Sequence, residues 1–221
     1  MKTTTNYQIE SLFHCIWAGE MIILNGKLHK ILAFEKKAPA NPDKFGIKTC
    51  NSYSGLYALK DNQLYLNCLV FEGENVEYPW INGKEVSKRK ILIQDMPENL
   101  TSLNGFVVYK NIYRSLDLKI PYNGRMLLGY SDRRSNTAET KRFSVINSYN
   151  CFQEVAFTNG KVKAQVDYSN KMNLLKKQIC DMENSGKCKK TLDCWERQMK
   201  EISQNKGSWE LYRLLLSLNE K

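Results

Sequence analysis

Histidine is nearly missing from these 221 residues: His14 and His29 are the only two, and both lie in apolar stretches. An imidazole-based metal centre therefore has little to build on. Also missing are a CxxC pair, a GxSxG elbow, a GxxxxGKS/T loop and an HExxH pair. Their absence removes the short signatures of zinc knuckles, acyl-transfer serines, phosphate loops and zinc peptidases. Cys15 beside His14 makes no catalytic dyad, because neighbours on a strand face opposite ways. No apolar run approaches the roughly 18 residues of a membrane span. The opening MKTTTNYQIESLF lacks the long apolar core of a secretory signal. The expectation is a cytoplasmic protein with no membrane partner.

The seven cysteines fit that compartment, being odd in number and irregularly spaced. Cys180, Cys188 and Cys194 would supply three thiolates, but a structural zinc site takes four ligands. They are read as free thiols that pack like small hydrophobes. A disulfide from Cys188 to Cys180 or Cys194 would need an oxidising setting. No cofactor and no metal are expected.

Acidic charge is in short supply as well. Lys and Arg number 33 against 23 Asp and Glu, a net charge of +10. From residue 171 onward there are 11 Lys/Arg against 7 Asp/Glu, so the excess is spread along the chain with modest enrichment at its end. A basic surface attracts nucleic acid, anionic lipid and acidic proteins without choosing among them. Excess lysine also serves solubility alone.

What the chain has in quantity is Asn-Gly, at Asn25, Asn82, Asn104, Asn123 and Asn159, four times followed by Lys or Arg. A two-residue hairpin turn needs positive φ at both central positions, which this dipeptide tolerates best. Residues 21–24 and 27–34 read as one hairpin. Residues 53–71 read as another, turning at residues 60–63. Further strands are expected over residues 90–93, 106–109, 114–120, 125–130, 142–146, 151–157 and 161–168. The steps at Asn123 and Asn159 are read as hairpin turns. Residues 36–43, 72–89 and 131–140 are polar loops, the second with room for a short hairpin at Asn82. Ile9, Leu12, Phe13, Ile16 and Trp17 form one helical face, with a strand as competitor. The irregular spacing of the Asn-Gly steps argues against a propeller or solenoid.

Beyond residue 168 the period changes. Met172, Leu175, Ile179 and Met182 make one helical stripe, and Leu192, Trp195, Met199 and Ile202 make a second. Gly186 stops the first helix, and Ser208 can cap a third. The fold expected is α+β and mainly β: a curved antiparallel sheet, sandwich or open barrel with C-terminal helices packed on it. A β-rich domain over residues 1–168 would carry a helical extension over 169–221, too small to stand alone.

The candidate binding residues are three basic clusters. They are Lys84, Lys88, Arg89 and Lys90; Arg133, Arg134, Lys141 and Arg142; and Lys187, Lys189 and Lys190. Tyr78 and Trp80 are candidate aromatic anchors beside the first. Basic grooves interleaved with aromatics also bind single-stranded nucleic acid, though no RNP, KH or finger signature is present. A solvated basic face with no ligand is the plain alternative.

Three stretches carry a resemblance. The first is Tyr53-Ser54-Gly55-Leu56-Tyr57 followed by Leu64-Tyr65-Leu66. The second is Leu116-Asp117-Leu118-Lys119-Ile120-Pro121 followed by Gly124-Arg125-Met126-Leu127-Leu128. The third is FQEVAFTNGKV over residues 152–162. Together they resemble uncharacterised bacterial cytoplasmic β-rich proteins with LYL and LxIPxGKLL hairpins. Where that group carries Trp-Arg-Gly, this chain has Cys50-Asn51-Ser52. The resemblance implies no active site. By class and size it implies an immunity protein, as in contact-dependent growth inhibition, that neutralises a cognate toxin with an acidic surface. The expected function is thus non-catalytic protein binding, with RNA or single-stranded DNA as the alternative partner.

Overall fold

MIIL becomes strand β1 (Met21–Leu24) and KLHKILAF becomes β2 (Lys27–Phe34). Between them the chain turns on Asn25 and Gly26, whose φ angles are +51° and +72°. The computed structural model describes residues 20–47, 53–72, 77–92, 107–131, 147–186, 188–205 and 208–218. The expected helix over 7–17, the strand over 142–146, the Asn104 turn and most of the 131–140 loop lie outside them. The chain divides into two compact units.

The first unit comprises Met1–Gly26 and Ala38–Pro121. Its strands run in the order β1, β3 (Tyr53–Lys60), β4 (Gln63–Phe71), β6 (Val107–Tyr113), β5 (Ser87–Leu92). All of these pairs are antiparallel except β1 with β3. β3 and β4 close on Asp61 and Asn62, at φ +49° and +59°, as the hairpin reading required. In the 36–43 loop, Pro42–Phe45 forms a 3₁₀ turn, started by the Asn41 side chain accepting from the Asp43 N–H at 3.0 Å.

Two expectations fail in this unit. Residues 114–120 are not a strand: Ser115 and Asp117 take φ of +50° and +46°, and only β7 (Leu118–Lys119) remains, paired with β4. The excursion buries Leu116 completely, and its N–H donates to the Asn67 carbonyl at 2.9 Å. Core burial and a backbone hydrogen bond outweigh regular pairing there. The loop expected over 72–89 also ends early, because Ser87 and Lys88 already pair with Ile112 and Asn111 in the β5–β6 ladder.

The aromatic-Gly-aromatic stretch has a packing role. Gly55 donates its N–H to Glu20 Oε2 at 2.7 Å, and a Cβ there would sit 2.8 Å from that oxygen and 3.0 Å from the Tyr57 ring. Tyr57 is fully buried, and its hydroxyl accepts the Ala40 N–H at 3.2 Å.

The second unit comprises Lys27–Lys37 and Tyr122–Lys221. Here β2, β8 (Gly124–Tyr130), β9 (Cys151–Thr158) and β10 (Lys161–Asp167) form an antiparallel run in that order. β9 and β10 turn on Asn159 and Gly160, at φ +50° and +73°. Asn123 does not form the expected hairpin turn. β7 pairs with β4 and β8 with β2 and β9, while the Asn123 side chain accepts the Asn159 N–H at 2.8 Å. Gly124 is still needed, since its φ is +152° and a Cβ would meet the Tyr122 hydroxyl at 2.9 Å.

Helices α1 (Ser169–Ser185), α2 (Lys189–Asn205) and α3 (Ser208–Ser217) follow. Gly186 closes α1 in the left-handed conformation, at φ +65°. The two sequence stripes are the buried faces: Met172, Leu175 and Ile179 of α1 and Leu192 and Met199 of α2 join Leu211 and Leu215 of α3. Ala33, Leu127 and Phe152 from the strands complete this core. Burying such side chains stabilises by about 1.5–3 kcal/mol each, which explains why the helices share a core with β2, β8 and β9. The protein is α+β and mainly β, largely antiparallel, with its C-terminal helices packed on strands. No helix among the described residues is long and apolar enough to cross a membrane.

Candidate interaction surface

Trp80 is 67% exposed, the most exposed of the three large hydrophobic side chains that face solvent among the described residues. The backbone that carries it is tied down on both sides. Before it, the Tyr78 ring meets Phe71 edge-on at 5.0 Å, and Phe71 stacks on Tyr113 at 5.9 Å. The buried Asn111 amide donates to the Tyr78 hydroxyl at 3.3 Å. Tyr113 in turn donates its hydroxyl hydrogen to the Pro79 carbonyl, and burial pushes the Tyr113 pKa upward.

After Trp80 the chain makes the short hairpin anticipated at Asn82-Gly83. Ile81 is buried and exchanges both backbone hydrogen bonds with Lys84, at 3.0 and 2.9 Å. Asn82 and Gly83 sit at φ +47° and +70°, and the Asn82 amide donates to the Leu116 carbonyl at 2.7 Å. Farther along, Ser87 Oγ donates to the Ile112 carbonyl at 3.1 Å. The result is an exposed indole on a fixed support, with the exposed Lys84 and Lys88 on the same stretch of chain.

Of the other predicted contact residues, Arg89 lies in strand β5 rather than in a loop, opposite Lys110, and Lys90 lies in that strand as expected, opposite Tyr109. Their side chains lie outside the described residues, as do Arg133, Arg134, Lys141, Arg142 and Lys187. Lys189 and Lys190 are exposed in the first turn of α2, where the helix dipole disfavours cations. Tyr78 is half-buried and supports the site, whereas Trp80 is presented by it.

Elsewhere His29 and Cys68 serve packing. His29 is buried with its Nδ1 donating to the Lys27 carbonyl at 3.1 Å, and desolvation lowers its pKa. Burial pushes the Cys68 thiol up to about 12, far from the reactive thiolate range. Cys180 and Cys188 are half-buried free thiols and Cys194 is an exposed one. No group of three or more metal-type ligands occurs among the described residues.

Sequence reasoning missed two features. Lys176, one step past Leu175 on α1, is buried. Glu35, Arg125, Glu154 and Arg213 line one cleft in the second unit. No local pattern marks either, because both arise where separate elements meet. No protein family, curated protein or solved structure matches the chain.

Proposed function

We propose that this chain is a non-catalytic binding protein of the cytoplasm, and most concretely an immunity protein that neutralises a cognate bacterial toxin by direct contact. The observation that supports this reading is the exposed Trp80 on its tied-down support, next to Lys84 and Lys88. Protein interfaces concentrate their binding energy in a few aromatic and arginine anchors. An anchor held in place before binding loses little entropy on association. The flanking lysines would steer an acidic partner surface and raise the association rate. The resemblance to bacterial LYL and LxIPxGKLL proteins adds the toxin–immunity context.

The test is co-expression with any secreted toxin domain encoded beside this gene, and a neighbourhood without one would count against the immunity reading. Rescue of growth by the parent chain, with rescue lost on Trp80→Ala, is the expected result. Failure of the parent to rescue or to form a one-to-one complex would remove the immunity reading. Trp80 beside lysines also suits base stacking, so binding of a labelled single-stranded oligonucleotide is the second arm. Saturable binding there that weakens steeply with salt and disappears in Trp80→Ala would favour the nucleic-acid reading instead.

A further inference from the structure

The second unit carries a charged row across three neighbouring strands. Glu35 follows β2 directly, Arg125 lies on β8 and Glu154 on β9. Arg125 Nη1 donates to Glu154 Oε1 at 3.3 Å, and its Nε lies 3.9 Å from Glu35 Oε2. The Glu35 N–H donates to the Arg125 carbonyl at 3.0 Å, so the backbone itself fixes these neighbours. Two carboxylates around one guanidinium leave this wall with one excess negative charge. Glu154 is only 13% exposed and anchors the row, while Arg125 and Glu35 reach solvent at 52% and 36%.

The row forms one side of a cleft of about 360 Å³. Helix α3 contributes Trp209, Arg213 and Leu216, which at i, i+4 and i+7 share one helical face. Lys171 of α1 adds a second cation. Arg213 is 66% exposed and holds Glu210 at a loose 3.7 Å. Trp209 and Leu216 pack against the helical core, so the apolar part of this wall is fixed. The cleft is therefore bipolar, with an acid-rich sheet side, a cationic helix side and an apolar surface beside the cations.

We propose that this cleft binds a free zwitterionic amino acid with an apolar side chain. Its ammonium group would donate to Glu35 and Glu154, its carboxylate would accept from Arg213 and Lys171, and its side chain would lie on Trp209 and Leu216. Charge-assisted hydrogen bonds of this kind are the strong ones. A simple anion would meet the carboxylate row, and a simple cation would meet Arg213 and Lys171. A ligand carrying both charges meets a complementary group on each side. The volume lies near the lower end of the roughly 300–1,000 Å³ of small-molecule sites, which suits a single amino acid.

Calorimetric titration of the full chain with L-phenylalanine and L-leucine tests this, with phenethylamine and 3-phenylpropionate as single-charge controls. The expected result is one saturable site for at least one amino acid, with each control at least tenfold weaker. Arg213→Gln and Glu35→Gln should each weaken the amino acid at least tenfold, with the circular dichroism spectrum unchanged. The proposal is overturned if neither amino acid saturates up to about 10 mM, well beyond the millimolar range of weak specific binding. It is equally overturned if a single-charge control matches the amino acid, or if either folded variant binds like the parent.

Discussion

The Lys176 ammonium group lies over the Phe152 ring, 5.5 Å from its centroid, and donates to the backbone carbonyl of Tyr149. A cation held inside an apolar core loses hydration, and desolvation accordingly lowers the Lys176 pKa, with Cys151 opposing. Replacing such a charge with an apolar side chain of similar length often stabilises, although the Tyr149 carbonyl would lose its donor. Lys176→Met should gain about 1 kcal/mol net, raising Tm by about 2–4 °C for a chain of this size. A thermal melt at pH 7 checks it, and a lower Tm would show that the hydrogen bond and ring contact outweigh the desolvation.

Alkaline pH should act in the other direction. Burial pushes Tyr122 up to about 12 and raises Tyr57 and Tyr212 above their ordinary value near 10. The Cys68 thiol rises from 9.0 to about 12. For each of these acids the unfolded chain releases its proton first. Their contribution to stability is complete below pH 9 and is lost as pH climbs from 9 towards 12. Lys176, with a lowered folded pKa, works oppositely and contributes stability as pH rises towards 10.5. Urea midpoints measured from pH 8 to 12 should fall, and should fall more steeply in Lys176→Met.

Gly55→Ala tests the packing of the aromatic-Gly-aromatic strand. The new methyl group would stand 2.8 Å from Glu20 Oε2 and 3.0 Å from the Tyr57 ring, forcing both away. The expected loss is about 1–3 kcal/mol, read as an earlier denaturant midpoint with unchanged slope. A neutral result would mean that Glu20 swings aside without cost.

Trp80→Ala should leave stability within about 0.5 kcal/mol, since the indole is exposed. Under the proposed function, affinity for the toxin should fall by at least about 2 kcal/mol, as for an interface anchor. Lys84→Glu should mainly slow association and reduce its salt dependence. Surface plasmon resonance at two ionic strengths separates these effects. Equal loss of stability and affinity in Trp80→Ala would assign the residue a structural role instead.

Local signals in the sequence were sufficient wherever structure is local. Positive φ at Asn25, Asn82 and Asn159 follows from the dipeptide, and the buried faces of α1 and α2 follow from period and burial. Residues 114–120 alternate well enough for a strand, yet Leu116 goes into the core, and Ser115 and Asp117 bend to allow it. Neither residue type announces that. Asn123-Gly124 has the composition of a hairpin turn, but the strand after it pairs with β2 and β9, a choice made by tertiary contacts. The Glu35–Arg125–Glu154 row depends on the order of three strands, which their residues do not spell out. Tyr78 and Trp80 were legible as aromatics near charge, but which one would be exposed depended on Phe71 and Asn111.

The route of the chain between its two units also bears on biosynthesis. β2 leaves the ribosome early, but one of its two hydrogen-bonded neighbours, β8, begins about 90 residues later. At typical elongation rates of about 5–20 residues per second, that wait lasts roughly 5–20 s. Throughout it, the apolar segment around Ile31 and Ala33 has no β8 to pair with, and the helices that complete its core are still unmade. Slow translation or premature termination before residue 124 would therefore release a sticky nascent strand, a natural client for a chaperone at the exit tunnel.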